Sequence, residues 1–233
     1  MLALACSTCT FASSTESQRW TKEFANELYS KQPWLVGSNH IPAYAINELE
    51  MWQADTFDPK RIDLELGWAE SIGLNTMRVF LHDLLWQQDP EGFKKRIDVF
   101  LRIAEKHHIK PLFVLFDSCW DPNPHVGKQH EPWPGIHNAG WVQSPGAKAL
   151  KDPLQYPGLE AYVKGVVGAF AKDPRVSGWD VWNEPDNTNH GSYSELEPSN
   201  KVALVLALLP RVSVRARQAH PTAKLFTDST QVL

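Results

Sequence analysis

Short apolar segments that favour strands alternate with segments of helical periodicity along this 233-residue chain, and this pattern restricts the fold more than any other feature. Apolar runs predict strands over 33–37, 76–81, 110–116, 176–185 and 225–227. Amphipathic spacing predicts helices over 17–30, 58–73, 89–104, 159–170 and 201–220. Such alternation, with strands that are apolar on both faces, is typical of a parallel sheet built from βαβ units.

Local signals define several of the helix ends. Asp58-Pro59 and Asp89-Pro90 each combine a capping carboxylate with a proline in the first turn, where its missing N–H costs nothing. Gly73 is expected to end the helix that starts at Pro59. Pro210 lies inside the last predicted helix and predicts a kink or a restart there.

The strand predicted over 176–185 ends in an amide, a carboxylate and a proline. Pro185 cannot donate to a β-ladder, so the strand should stop there and present Asn183 and Glu184. Asp180 is a carboxylate within an otherwise apolar run, so it either accepts hydrogen bonds or has a raised pKa. A simpler interpretation is that Asn183 and Glu184 only cap the following turn.

Polar residues follow the carboxyl ends of four predicted strands, and this placement favours a barrel over a doubly wound sheet. In a (β/α)₈ barrel these strand ends share one rim, where active sites lie. A dinucleotide-binding sheet would need a G-x-G-x-x-G turn, which Gly37-Ser38-Asn39 does not provide. The residues at the strand ends are His40, His82 with Asp83, Asp117, and Asn183 with Glu184.

Two of these segments resemble retaining glycoside hydrolases of the clan that includes the family 5 cellulases and mannanases. They are Trp182-Asn183-Glu184-Pro185 on the fourth strand and Met77-Arg78-Val79-Phe80 on the second. The resemblance extends from about Trp34 to the end of the chain. It implies that residues 18–233 form the amino-terminal part of a (β/α)₈ barrel, incomplete, with about five β/α units.

The resemblance also implies a mechanism, the hydrolysis of O-glycosidic bonds in a β-linked polysaccharide or oligosaccharide of the cellulose, mannan or xylan type. Glu184 would be the general acid/base, Asn183 would bind the sugar 2-hydroxyl, and Arg78 would hold the carboxylate of the nucleophile. Retention requires two carboxylates about 5 to 5.5 Å apart. The family nucleophile ends the seventh strand, so we expect residues 1–233 alone to be inactive, with Asp117 as a less favoured substitute.

Aromatic and polar residues near the rim are candidates for binding sugar rings, which present flat apolar faces. The chain contains ten tryptophans, an unusually high number for this length. Trp68, in a helix, and Trp179, in a strand, are expected in the core. The predicted substrate-binding residues are His40, His82, Asp117, Trp120, Trp141 and Trp182, with Trp86 and Trp133 as further platforms.

Composition and spacing exclude several other classes of function. A net charge of −4 without a basic patch argues against nucleic acid as a partner. The sequence contains no apolar run of about 18 residues, so it predicts no membrane-spanning helix. The histidines of the long third loop lack a zinc-binding spacing, so we expect no metal and no cofactor. The three cysteines suggest neither a disulfide framework nor a zinc site. These residues are His125, His130, His137, Cys6, Cys9 and Cys119.

Residues 1–17 resemble the remnant of a signal peptide, which predicts a secreted or periplasmic protein. Ala3-Leu4-Ala5 has the form of a cleavage site, and Cys6 just after it raises the alternative of a lipoprotein. An unstructured cytosolic terminus is the competing interpretation, because a basic start and a full apolar core are absent.

Two other functions remain open. The first is a non-catalytic carbohydrate-binding or truncated, inactive barrel protein, which keeps the tryptophan-rich rim without a second carboxylate. The second is a different barrel enzyme in which Glu184 acts as a base on a small metabolite. Long loops rich in tryptophan favour a polymer over a metabolite.

Overall fold

The computed structural model describes residues 20–189, 191 and 193–228, so the predicted signal-peptide remnant lies outside the described residues. The chain forms two compact units, Met1–Pro33 and Trp34–Leu233. In the first unit, helix α1 spans Lys22–Ser30. It begins where the Thr21 side chain accepts a hydrogen bond from the Phe24 N–H, which is an N-cap.

In the second unit, strands and helices alternate as predicted. The strands are β1 Gly37–His40, β2 Thr76–Phe80, β3 Lys110–Val114, β4 Gly178–Asn183 and β5 Leu225–Asp228. The helices are α2 Glu48–Trp52, α3 Pro59–Ser71, α4 Asp83–Gln88, α5 Pro90–Lys106, α6 Ala147–Lys151, α7 Tyr156–Ala169 and α8 Lys201–Ala219, with 3₁₀ turns at Pro153–Gln155 and Ser194–Leu196.

The two predicted Asp-Pro starts are confirmed at α3 and α5. Asp58 Oδ1 accepts from the N–H groups of Lys60 at 2.9 Å and Arg61 at 3.1 Å. Asp89 caps α5 in the same way, accepting from Gly92 N at 2.8 Å. These carboxylates satisfy backbone donors that have no partner within the helix, so local sequence suffices to set both helix starts.

All five strands pair in parallel in the order β1-β2-β3-β4-β5. Each residue of β4 is buried, as expected of a strand covered on both faces. Within the described residues β1 and β5 each pair with a single neighbour and form the two edges of the sheet. The fold is therefore an incomplete (β/α) barrel, and this prediction is confirmed.

The first strand differs from its prediction in place and exposure. It begins at Gly37 rather than residue 33. Its residues are Gly-Ser-Asn-His and most of them are exposed, so this strand is neither apolar nor covered on both faces. The preceding segment is instead held by Asn75, whose side chain donates to the Trp34 carbonyl at 2.8 Å and accepts from Val36 N at 2.9 Å. His40 is consequently the last residue of β1 rather than a loop residue.

Helix α8 runs without interruption through Pro210, so the predicted restart there is wrong. The N–H that proline lacks would have bonded the carbonyl of Leu206. Both residues lie on the exposed side of the helix, where water can replace that hydrogen bond. None of the helices in the described ranges is both long and apolar enough to cross a membrane.

The core confirms one tryptophan prediction and corrects two. Trp179 is 1% exposed, as expected for the core, whereas Trp68 is 54% exposed on α3 and lies under the Arg61 guanidinium. Trp86 is partly buried against α7, where a side chain at Gly165 would collide with its ring. Trp86 therefore packs between helices and does not offer a free face to a sugar.

Candidate active site

Glu184 follows the last residue of β4 in a strained backbone conformation. Its φ is +47°, a left-handed value that L-residues rarely adopt outside glycine and asparagine. Asn187 holds this turn twice, by donating its N–H to the Glu184 carbonyl at 2.9 Å and its side-chain amide to Glu184 Oε2 at 2.6 Å. Such strain persists only where the surroundings enforce it, and it is concentrated at functional sites.

The side-chain amide of Asn183, the last residue of β4, is fixed by Asp117, which lies just past β3, and by Arg78 on β2. Its Nδ2 donates to Asp117 Oδ1 at 2.9 Å, and its Oδ1 accepts from Arg78 Nη2 at 2.8 Å. Only 6% of Asn183 is exposed. The amide therefore cannot rotate without breaking two hydrogen bonds, which aligns it at the rim beside Glu184.

Arg78 and Asp180 form an ion pair beneath this rim. Arg78 Nε donates to Asp180 Oδ2 at 3.2 Å, and its Nη2 bonds the same oxygen. The Asp180 side chain is 3% exposed and that of Arg78 19%. Of the two expectations for Asp180, the structure shows the hydrogen-bonded one, because Arg78 supplies the opposite charge inside the sheet.

Asp117 lies just past β3 and is 4% exposed. Burial raises its pKa to about 6, although hydrogen bonds from Asn183 and from Cys119 N, at 2.9 Å, act in the opposite direction. A nucleophile needs an accessible carboxylate oxygen. The burial of Asp117 and the occupation of Oδ1 disfavour the alternative in which this residue attacks the sugar.

Cys119 occupies a place in the site that sequence reasoning missed. Its side chain interacts with both Asp117 and Glu184, and Asn187 Nδ2 lies 3.4 Å from its Sγ. Burial, reinforced by the two carboxylates, raises the pKa of the Cys119 thiol far above its ordinary value. It is a neutral thiol between two acids, and only its position two residues after Asp117 could have signalled this.

The two predicted histidines occupy different environments. His40 is partly buried, burial lowers its pKa, and within the described ranges its Nε2 has no hydrogen-bond partner. His82 is 0% exposed, with Nε2 3.0 Å from the Gln143 carbonyl and Nδ1 accepting from Leu84 N at 3.1 Å. His82 has no free surface here, so this geometry does not support its predicted contact with substrate.

The predicted tryptophans divide in the same way. Trp182 is 1% exposed and donates its indole N–H to Ser118 Oγ at 2.8 Å, which makes it a core residue in this structure. Trp120 and Trp141 are partly exposed, and the Trp141 ring packs edge-on against Phe80 at 5.6 Å. Of the rings predicted to bind a sugar, Trp120 and Trp141 thus keep part of their surface exposed, as does Trp133, which lies between them in the loop and is 49% exposed.

Glu48, at the start of α2, is a buried acid that sequence reasoning did not identify. It is 2% exposed, and within the part of the chain that the structure describes its Oε2 has no hydrogen-bond partner. Burial raises its pKa from 4.5 to about 7, and only the charge of His82 and the N–H of Glu48 itself oppose this. The folded protein therefore favours the protonated form of Glu48 below about pH 7.

The pKa of Glu48 predicts a loss of stability as pH rises. The folded protein holds a proton that the unfolded chain releases, so the free energy of unfolding should fall between about pH 4.5 and 7 by about 3 kcal/mol. Glu48→Gln should remove this part of the pH dependence in urea unfolding. The exposed control Glu105→Gln should keep it, and identical curves for Glu48→Gln and the wild type would contradict the prediction.

Across the described residues, no three His, Cys, Asp or Glu side chains are grouped so that they could hold a metal ion. Two histidines of the long loop instead pack against tryptophan rings. The ring of His130 stacks on Trp133 at 4.8 Å, and that of His137 packs edge-on against Trp120 at 5.1 Å.

Comparison with solved structures shows the class of fold. The chain matches an exo-β-1,4-mannosidase from Opitutaceae bacterium strain TAV5 with a TM-score of 0.58 and 21% identity, over 84% of this chain and 31% of that one. It matches a GH5_18 protein from Streptomyces cattleya with a TM-score of 0.54 and 13% identity, over 84% and 45%. An endo-1,4-β-mannanase from Eisenia fetida matches with a TM-score of 0.52 and 14% identity, over 81% and 58%.

The resemblance to family 5 glycoside hydrolases is thereby confirmed for the fold. This chain spans between about a third and three-fifths of the length of these proteins. No family model matches the sequence, and no curated protein matches it either.

Proposed function

We propose that this chain carries the acid/base half of a retaining β-glycan hydrolase site. Glu184 protonates the leaving glycosidic oxygen and then takes a proton from the attacking water. The observation that carries this proposal is the strained Glu184 turn, held by Asn187 at the end of a fully buried strand. The turn conformation and the hydrogen bond from Asn187 together fix the direction of the Glu184 carboxylate at the rim, as a general acid requires.

Asn183 takes the role of binding the hydroxyl next to the reacting carbon. Its hydrogen bonds with Arg78 and Asp117 support this role, since they orient the amide and leave Oδ1 a second lone pair for a sugar hydroxyl. Nδ2 donates to Asp117 Oδ1 and also to Cys119 Sγ at 3.6 Å, so both of its hydrogens are already used. A preoriented donor or acceptor costs little to use in the transition state.

The second carboxylate, the nucleophile, is proposed to lie outside residues 1–233. Arg78, on β2 of this chain, would help to hold that carboxylate in place. The greater length of the matched proteins and the burial of Asp117 support this assignment. Retention needs the two carboxylates about 5 to 5.5 Å apart. We therefore expect residues 1–233 by themselves to bind a glycan without cleaving it.

β-1,4-Linked mannosides are the substrates to test first, because two of the matched proteins are named as an exo-β-1,4-mannosidase and an endo-1,4-β-mannanase. Partly exposed Trp120 and Trp141 supply apolar faces for the sugar rings. The alternative, a carbohydrate-binding protein without catalysis, is favoured by the same rings and by the burial of Asp117.

The test is a comparison of binding with turnover. Calorimetric titration of residues 1–233 with manno-, cello- and xylo-oligosaccharides should show binding of at least one of them, without release of reducing ends. A protein that continues in frame beyond residue 233 should cleave the same sugar with retention, as read from anomeric proton signals. If residues 1–233 bind none of the three sugars, the proposal is contradicted. If they turn over any of them, the placement of the nucleophile outside residues 1–233 is contradicted.

A further inference from the structure

We propose that Asn189 is a positioning residue that fixes the sugar-binding ring of Trp120 relative to Glu184. This inference rests on the proposed function for the role of Trp120. It concerns a residue in the loop after β4 that carries no chemistry of its own.

The backbone of Trp120 is held in a conformation that a tryptophan does not adopt freely. Its φ is +72°, a left-handed value that is strained for a bulky side chain. The Asn189 side chain bonds both backbone groups of this residue. Oδ1 accepts from Trp120 N at 2.7 Å, and Nδ2 donates to the Trp120 carbonyl at 2.9 Å. One amide thus stabilises the strained residue from both sides.

The same residue is connected to the proposed acid/base. Asn189 N donates to Asn187 Oδ1 at 2.5 Å, and Asn187 Nδ2 donates to Glu184 Oε2 at 2.6 Å. Hydrogen bonds therefore run without a gap from the Glu184 carboxylate to the backbone of Trp120. A displacement of Asn189 changes the separation between the sugar platform and the acid.

A buried ion pair anchors this connection to helix α8. The Lys201 side chain is 1% exposed and that of Glu197 5%, with Nζ and Oε1 2.5 Å apart. Asn189 Nδ2 also bonds Glu197 Oε1, and Lys201 Nζ donates to the Ser118 carbonyl at 2.6 Å. Gln143 adds donors to Trp120 O at 2.9 Å and to Glu197 at 2.6 Å.

This arrangement preorganises the ring for a ligand. A loop that is already ordered loses less conformational entropy when a sugar binds, and this loss otherwise reduces affinity. Glu197 Oε1 receives three donors, from Gln143, Asn189 and Lys201, whereas its buried Oε2 has no hydrogen-bond partner within the described residues. The cluster therefore contributes to the shape of the site as well as to the stability of the loops.

The test compares Asn189→Gly with Asn138→Gly. Both asparagines have positive φ, +50° and +49°, so glycine suits both backbones and the difference reports the Asn189 amide. Asn138 makes no side-chain hydrogen bond with the rest of the described chain and is the matched control. In protein labelled with fluorotryptophan, Asn189→Gly should shift or broaden the ¹⁹F signal of Trp120, assigned by Trp120→Phe, and Asn138→Gly should not.

The second readout is affinity for the oligosaccharide that residues 1–233 bind. Asn189→Gly should raise Kd about 5- to 30-fold, and in a Trp120→Ala background it should have almost no further effect. A purely structural role would instead weaken binding equally in both backgrounds. If Asn189→Gly does not fold, Asn189→Ser, which removes the amide donor without adding a charge beside Glu197, replaces it.

The outcomes separate this inference from the proposed function. A perturbed Trp120 signal in a protein that binds no glycan supports the positioning role and contradicts the proposed function. An unchanged Trp120 signal, or equal losses of affinity with and without Trp120, overturns the positioning role whatever the glycan result.

Discussion

Glu184→Gln is expected to lower kcat for a β-glycan about 10²- to 10⁴-fold in any form of the protein that turns over substrate. Glutamine keeps the size of the side chain and can still accept from Asn187, but it cannot give or take a proton. Binding should change little, with Kd within about threefold of the wild-type value, because the ring contacts and Asn183 remain. Steady-state rates on oligosaccharides together with calorimetric Kd values measure both effects.

The leaving group distinguishes loss of the acid from general damage to the site. An aryl glycoside with a dinitrophenyl leaving group departs without protonation, so its cleavage step should be much less affected by Glu184→Gln than that of an oligosaccharide. The control is Glu195→Gln, an exposed glutamate in the same loop, which should leave both rates unchanged. Equal activity of Glu184→Gln and the wild type on oligosaccharides would remove Glu184 from the mechanism.

Arg78→Met is expected to lower the free energy of unfolding by about 3–5 kcal/mol. The change leaves the Asp180 carboxylate, 3% exposed, without the guanidinium that compensates for its burial. It also removes a hydrogen bond from Asn183 Oδ1. Urea unfolding followed by circular dichroism measures the loss, and Arg102→Met, in an exposed pair with Asp98, should change stability by less than about 1 kcal/mol.

A double-mutant cycle tests whether the ion pair is the cause. Asp180→Leu combined with Arg78→Met should be less destabilising than the sum of the single changes, because the double variant leaves no unpaired buried charge. Additive losses would show that the two side chains do not depend on each other. Wild-type stability for Arg78→Met would show that other groups compensate for the burial of the Asp180 carboxylate and would contradict the prediction.

The architecture of the barrel could be predicted from local patterns, but the depth of individual residues could not. The prediction that the strand ends gather at one rim was correct, because parallel strands separated by helices place their carboxyl ends on the same side. His82 and Trp182 were expected at the surface of that rim, yet they are 0% and 1% exposed. Strand ends define an edge of the sheet, whereas the loops that fold over it decide which side chains are covered.

The starts of α3 and α5 were determined by the sequence itself. Each depends on contacts between residues a few positions apart, such as Asp58 with Lys60 and Arg61. The first strand was misplaced because its start depends instead on a long-range contact, the hydrogen bond from Val36 N to Asn75, 39 residues away.

Only the tertiary structure decided what the polar residues do. Arg78 meets Asp180 across 102 residues, and Trp120 meets Asn189 across 69. Such pairs exist because packing brings distant loops together and because a buried polar group must find a partner. The chain alone therefore determined which residues reach the rim, and the fold determined which of them are held, covered or left accessible to a ligand.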